Sequence, residues 1–266
     1  VGSAVFFNDC YDVAAEWVAV GVGNVGFRLS GGSQMRVEHC LALNANQGVL
    51  VENWTRATNT VFPVIEHCVF WETASSAIKV TGQNEATARH NILTVASGQY
   101  VYDLGVSSEL TADYNSIQLP AGARVYRREQ LVEVSPVPVI YETVGAWAAV
   151  SGQDVHSYDG DPLLANPGAK DFHVKSRAGR YDDALKAWTN DAVSSPLIDA
   201  GDPGSTAWTN EPATNGYRVN VGLYGGTPWA SKSTTNSALY LLTLNRGGVA
   251  SGQVALNWQA AGLATG

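Results

Sequence analysis

The chain has 266 residues, enough for one large hydrophobic core or two small ones. A net charge of -8 excludes nucleic acid and anionic membrane as natural partners, since neither attracts a surplus of carboxylates. No apolar run reaches the ~18 residues that span a bilayer, and 27 glycines against one methionine favour a turn-rich β protein over a helical one.

The opening stretch VGSAVFFNDC (Val1–Cys10) reads as a strand met in mid-phrase. The expectation is a chain whose leader has been removed or an excerpt of a longer polypeptide. Five phrases then resemble one another: FFNDCYDV (Phe6–Val13), RVEHCLAL (Arg36–Leu43), VIEHCVFW (Val64–Trp71), TARHNILT (Thr87–Thr94) and TADYNSIQ (Thr111–Gln118). Their fifth positions are Cys10, Cys40, Cys68, Asn91 and Asn115, at intervals of 30, 28, 23 and 24 residues. Second strands such as GVLVEN, AIKVTG and YVYDLG lie between them. Short strands and turns recurring at this period make one coil of a parallel β-solenoid, whose coils stack at ~4.8 Å and bury a shared core.

The fifth position is expected to point inward at a corner. An inward Asn can bond the backbone of its own coil and the Asn of the next, and Cys fills the same slot without needing a partner. The three cysteines read as buried thiols, with one disulfide between stacked neighbours left open as an alternative. The residue before each corner is expected on the turn surface. That would place His39, His67, His90 and Tyr114 in one column beside Glu38, Glu66, Arg89 and Asp113.

Further along, YDDALKAW (Tyr181–Trp188) sets Ala184, Leu185 and Trp188 on one face of a helical turn that could lie over the end of the solenoid. DAGDPGS and YGGTP carry turn chemistry. After the polar linker SKSTTNS, residues 234–266 read as two alternating strands, the start of an immunoglobulin-like or fibronectin-like module or a pairing tail. Both strands are expected to be ordered by pairing or packing.

The repeat resembles right-handed parallel β-helix proteins, the superfamily that includes pectate lyases and many bacterial surface proteins. The stretches Asp159–Tyr181, Ser194–Pro203 and Asn215–Ser233 look like the closing segment of β-helix proteins in large secreted or cell-surface polypeptides. Leu197 stands where such segments often carry a cysteine. The resulting division is β-helix coils over 1–158, last coils and C-terminal cap over 159–233, and linker plus first strands over 234–266.

Several residue sets offer chemistry. The histidine column with Glu38 and Glu66 could hold a divalent cation such as Ca²⁺, or line a sugar-binding strip; no other cofactor is expected. Stacked surface side chains recurring by duplication need no ligand at all. Trp54, Trp71 and Trp147 are candidates for sugar contact, because indole faces stack on sugar rings, although large aromatics also plug solenoid ends. The resemblance implies a possible polysaccharide lyase site, for which Lys79, Arg56 and Arg89 are candidate bases and Glu52, Glu66 and Glu85 candidate cation ligands. These residues are scattered, and the fold hosts enzymes and inert scaffolds alike. NWT (Asn53–Thr55) is a bare glycosylation tripeptide, and GVGNVG (Gly21–Gly26) lacks the Lys-Ser/Thr of a phosphate loop.

The expected function is an extracellular structural or adhesive module presenting a face to glycans or protein neighbours. The alternatives are a polysaccharide lyase or other glycan-active enzyme, and a self-assembling subunit of a surface filament or layer. Expected partners are neighbouring domains, polysaccharide or other copies of the chain.

Overall fold

Alternating side chains in short β-branched runs give each strand one buried face, and no single coil can cover that face alone. The computed structural model describes residues 2–53, 61–82, 84–133 and 135–234, with two further strands at Leu241–Leu244 and Leu256–Gln259. Three parallel sheets wind into a β-solenoid of about five coils, as the repeat predicts. The first sheet stacks Ser3–Asn8, Gly23–Ser30, Ala45–Glu52, Ser76–Val80, Tyr100–Leu104 and Arg124–Val132. The second stacks Tyr11–Glu16, Ser33–Glu38, Val64–Glu66, Glu85–Arg89 and Glu109–Asp113. The third stacks Ala19–Val20, Leu41–Leu43, Val69–Thr73, Ile92–Val95, Ser116–Gln118 and Tyr158–Asp159.

Strand register sets the core in columns. Phe27, Val49, Ile78, Tyr102 and Tyr126 face one another down the first sheet. Ala42, Phe70, Leu93 and Ile117 do so on the third. All are buried.

The corner between the second and third sheets carries the repeated position. Cys40, Cys68, Asn91 and Asn115 are buried there on successive coils. Asn91 Oδ1 accepts the Cys68 N–H at 2.9 Å, its Nδ2 donates to Ile65 O at 2.9 Å, and Asn115 Oδ1 accepts from Asn91 Nδ2 at 3.0 Å. All three cysteines are free thiols. Cys10 does not belong to this column. It sits at the other corner, before the second sheet, with its carbonyl accepting the Ser33 N–H. The first coil writes the phrase later, as VAAEWVAV: Glu16 pairs with Glu38 and Ala19 with Leu41, which puts Val18 opposite Cys40.

Two covers close the solenoid. At its end, Arg124–Val132 turns back as the antiparallel strand Ser135–Tyr141, followed by helix α1 (Val144–Ser151). The Thr143 hydroxyl caps α1 by accepting the Ala146 N–H, and Gly152 ends it in the left-handed conformation. Trp147 of α1 stacks on Tyr126, the last ring of the core column, at 3.9 Å. The end cap therefore lies within 135–157, ahead of residues 159–233 where the sequence suggested it.

The closing segment, residues 159–233, instead covers the side of the solenoid. Leu41, Val69 and Ile92 point outward from the third sheet and are buried against Leu164, Leu197, Val221 and Leu223. Each aliphatic side chain so covered stabilises the packing by roughly 1.5–3 kcal/mol. YDDALKAW is not helical: Arg180–Asp182 and Ala187–Thr189 pair as a hairpin, and Leu185 at its turn is exposed. Leu197 is fully buried in the side cover. In the tail, Leu241–Leu244 and Leu256–Gln259 pair antiparallel, short of a sandwich; the rest of 235–266 lies outside the described residues.

Candidate functional site

Beside the closing segment, one outward column of the third sheet is only partly covered. Leu43 pairs with Trp71, and Thr94 with Gln118, along successive coils. Asp161, Leu163, Leu164, Pro167 and Lys175 of the closing segment stand opposite and make the second wall. Between them runs an open groove of about 700 Å³. Its floor crosses three strand spacings from Asn44 to Gln118, ~14 Å at ~4.8 Å per strand.

Trp71 is half-buried in this groove and meets Phe172 edge-on at 5.6 Å, which fixes the indole plane. Thr94 accepts the Glu72 N–H through its hydroxyl, bending the strand so that Glu72 projects at the rim with φ 51°. Asp161 accepts the Leu163 N–H, and Lys175 is tied by its backbone to Leu163 and Ser195. Among the described residues, the Glu72 carboxylate and the Lys175 ammonium have no hydrogen-bond or ion-pair partner. The groove thus offers one rigid aromatic edge, two carboxylates, one ammonium and several amide and hydroxyl groups.

The other candidates fall elsewhere. Trp147 is buried in the end cap and donates its indole N–H to Asp154 at 3.2 Å, so it plugs the solenoid and presents no face to a sugar. Trp54 and Arg56 lie outside the described residues. Lys79 and Arg127 both bind Asp103, at 2.8 and 2.7 Å, and Arg89 binds Glu66 at 2.7 Å. Glu52 is paired with Arg28. Lys79, Arg89, Glu52, Glu66 and Glu85 do not line the groove.

The histidine column exists, but it lies under the side cover and not on a free turn surface. His39 and His67 stack at 5.1 Å, His67 and His90 at 4.8 Å. Trp17 extends the column above His39 at 4.7 Å, and Tyr114 and His156 extend it below His90. Trp17, His39, His67, His90 and Tyr114 all adopt φ between 49° and 58°, a left-handed corner repeated coil after coil.

The cover docks on these rings through its backbone. His39 Nδ1 donates to Leu223 O at 2.8 Å and His67 Nδ1 to Gly222 O at 3.3 Å. His90 Nε2 accepts the Asp202 N–H at 2.9 Å, and the Gly222 N–H bonds His90 O. Gly222 has φ 105°, and a Cβ there would meet Ile92 at 2.6 Å, so only glycine allows this approach. Burial pushes His67 down to about 4 and His90 to about 2, keeping both neutral.

Each ring has one nitrogen engaged by the backbone of the cover, and the second nitrogen of His90, Nδ1, is buried without a hydrogen-bond partner. Glu38 and Glu66 occupy the neighbouring column, each beside an arginine, Arg36 and Arg89. Among the described residues no group of three or more His, Cys, Asp or Glu could hold a metal ion. No helix there is long and apolar enough to cross a membrane.

The groove wall was missed by sequence reasoning, which weighed Trp71 but not Glu72, Asp161 or Lys175. Its signal was the doubly apolar third-sheet phrases CLAL, CVFW and NILT, which imply burial on both faces and hence a covering segment. A family model described as disaggregatase related, of a β-helix-type domain family, matches residues 139–201. That stretch takes in α1, the groove wall from Asp161 to Lys175, and Leu197. No curated protein and no solved structure matches the chain.

Proposed function

We propose that this chain is a rigid extracellular module that holds a polysaccharide strand along its groove. The observation that carries this reading is the groove itself. Trp71 forms an immobilised aromatic edge on its floor, polar groups without partners line both walls, and its length suits a short run of sugar rings. The local match to the disaggregatase-related family supports a β-helix module.

A second reading, glycan cleavage, is favoured by one feature: Glu72, Asp161 and Lys175 line the same groove, and carboxylate pairs or a basic residue beside acids are the residue types of glycan-cleaving sites. The test is retention and product formation on a panel of neutral and acidic polysaccharides. Wild type should be retained by at least one. Trp71→Ala should weaken that retention roughly tenfold, the effect of losing an aromatic stack of about 1–1.5 kcal/mol. New reducing ends or unsaturated products, abolished in Glu72→Gln or Asp161→Asn, would move the assignment to an enzyme. Binding unchanged in a folded Trp71→Ala protein would remove the groove from the account.

A further inference from the structure

Beside the aliphatic packing over Leu41, Val69 and Ile92, the side cover docks on three imidazoles. Each ring meets a backbone group of the cover, and at His90 the bond depends on an unprotonated nitrogen, whereas the carbonyls facing His39 and His67 accept from a neutral or a charged ring alike. His39 and His67 donate from Nδ1 to the Leu223 and Gly222 carbonyls. His90 does the reverse: Nε2 accepts the Asp202 N–H. A proton placed on that nitrogen would set two N–H groups against each other and abolish the bond. Charging neighbouring rings about 5 Å apart adds like-charge repulsion within the stack.

We propose that residues 197–226 form a pH-operated cover, released from the coils when the His39–His67–His90 column takes up protons. The release reaches the groove through the two flanks of that segment, because Ser195 on one side bonds both Pro162 O and Lys175 O, and Ser231 on the other bonds Val174 O.

The charged groups around the column do not neutralise this effect. From the second sheet, Glu66 and Glu16 favour charge on His39, and Glu66 favours it on His67, while Arg89 opposes charge on His67 and His90. From the cover, Arg218 opposes it on His90. Asp202 and Asp113 bear on Tyr114, and His156 pairs with Asp113 at 2.8 Å. Burial outweighs the two glutamates: His39 is lowered as well.

Because the docked histidines hold their protons more weakly than the ordinary 6.5, docking is fully supported above that pH. It is lost as pH falls toward 4. Glu211, inside the cover, has the opposite sign. Burial raises it to about 7 even though Oε1 accepts the Asn220 and Gly226 N–H groups, so it weakens the cover as pH rises through 7 and cannot drive release in acid.

The experiment is hydrogen exchange on the full chain from pH 7 to 4.5, corrected for the intrinsic pH dependence of exchange. Amides of 197–226 should lose protection on the order of a hundredfold, the two protons excluded from His67 and His90 each giving about tenfold per pH unit below 6.5 and the proton held by Glu211 offsetting one of them, while those of 76–118 stay protected. His67→Gln with His90→Gln should flatten the transition. Should that variant not fold, ¹⁵N titration of the wild-type rings decides: His67 and His90 must stay neutral Nδ1–H tautomers until the cover opens. Rings that titrate near 6.5 under an intact cover, a cover protected down to pH 4.5, or release unchanged in a folded double variant would each overturn the proposal.

Discussion

The end cap and the side cover close the same solenoid by opposite means. The end cap converges on one buried acid, Asp154. It accepts from Ser157 Oγ at 2.6 Å, Asn115 Nδ2 and Trp147 Nε1 at 3.2 Å, and the Tyr102 hydroxyl at 3.4 Å. Burial raises its pKa, and the four donors oppose that shift. The side cover has no such hub facing the coils. It lays aliphatic side chains over Leu41, Val69 and Ile92 and touches a row of neutral rings with its backbone. A network satisfied from every side fixes one arrangement. A cover whose docking includes a bond to an unprotonated ring, at His90, loses that bond when the ring is charged.

The largest expected effect is at the hub. Asp154→Ala removes the acceptor of four donors, leaving the buried Trp147 indole N–H and Tyr102 hydroxyl without their acid, and should cost about 3–5 kcal/mol, read as a fall in the denaturant midpoint of the whole solenoid. If only the closing segment responds, the end cap is not the element that holds the coils. Next, Leu197→Ala removes the buried centre of the side cover and should cost about 2–4 kcal/mol. Here the loss should appear as protease cleavage within 159–233 while the coils resist; loss of the coils at the same protease dose would mean that the two regions unfold as one. Smallest of the three, Asn91→Leu should cost about 1–3 kcal/mol, since it strips partners from the Cys68 N–H and Ile65 carbonyl. A neutral outcome would show that the corner tolerates Leu as it tolerates Cys40 and Cys68.

Much of the solenoid was legible because its physics is local and repeated. A small or amide residue at an inside bend recurs at Cys40, Cys68, Asn91 and Asn115, and their period sets the coil. The first coil misled for the same reason. Cys10 imitates the repeated cysteine, while the true counterpart, Val18, keeps only its burial role, and Trp17 replaces histidine in the ring column. The side cover was illegible in detail. Whether Ala184, Leu185 and Trp188 form a helix or a hairpin is decided by partners such as Tyr181, which meets Trp188 edge-on at 5.6 Å, and not by spacing. The groove shares this origin. Its two walls lie about ninety residues apart in sequence between Trp71 and Asp161, and nothing in either phrase names the other.

The way the closing segment is attached also gives the molecule a mechanical direction. Tyr158–Asp159 joins the third sheet by ladder bonds, whereas further along Gly222 reaches the ring column by one backbone bond and side-chain contacts. Tension applied near Ser233 and directed away from the coils would therefore load the docking contacts one after another, as in peeling. The parallel strands of the coils, bonded along their whole length, would share a load between many bonds at once. Under pull, this architecture yields first along its flank and keeps its shaft.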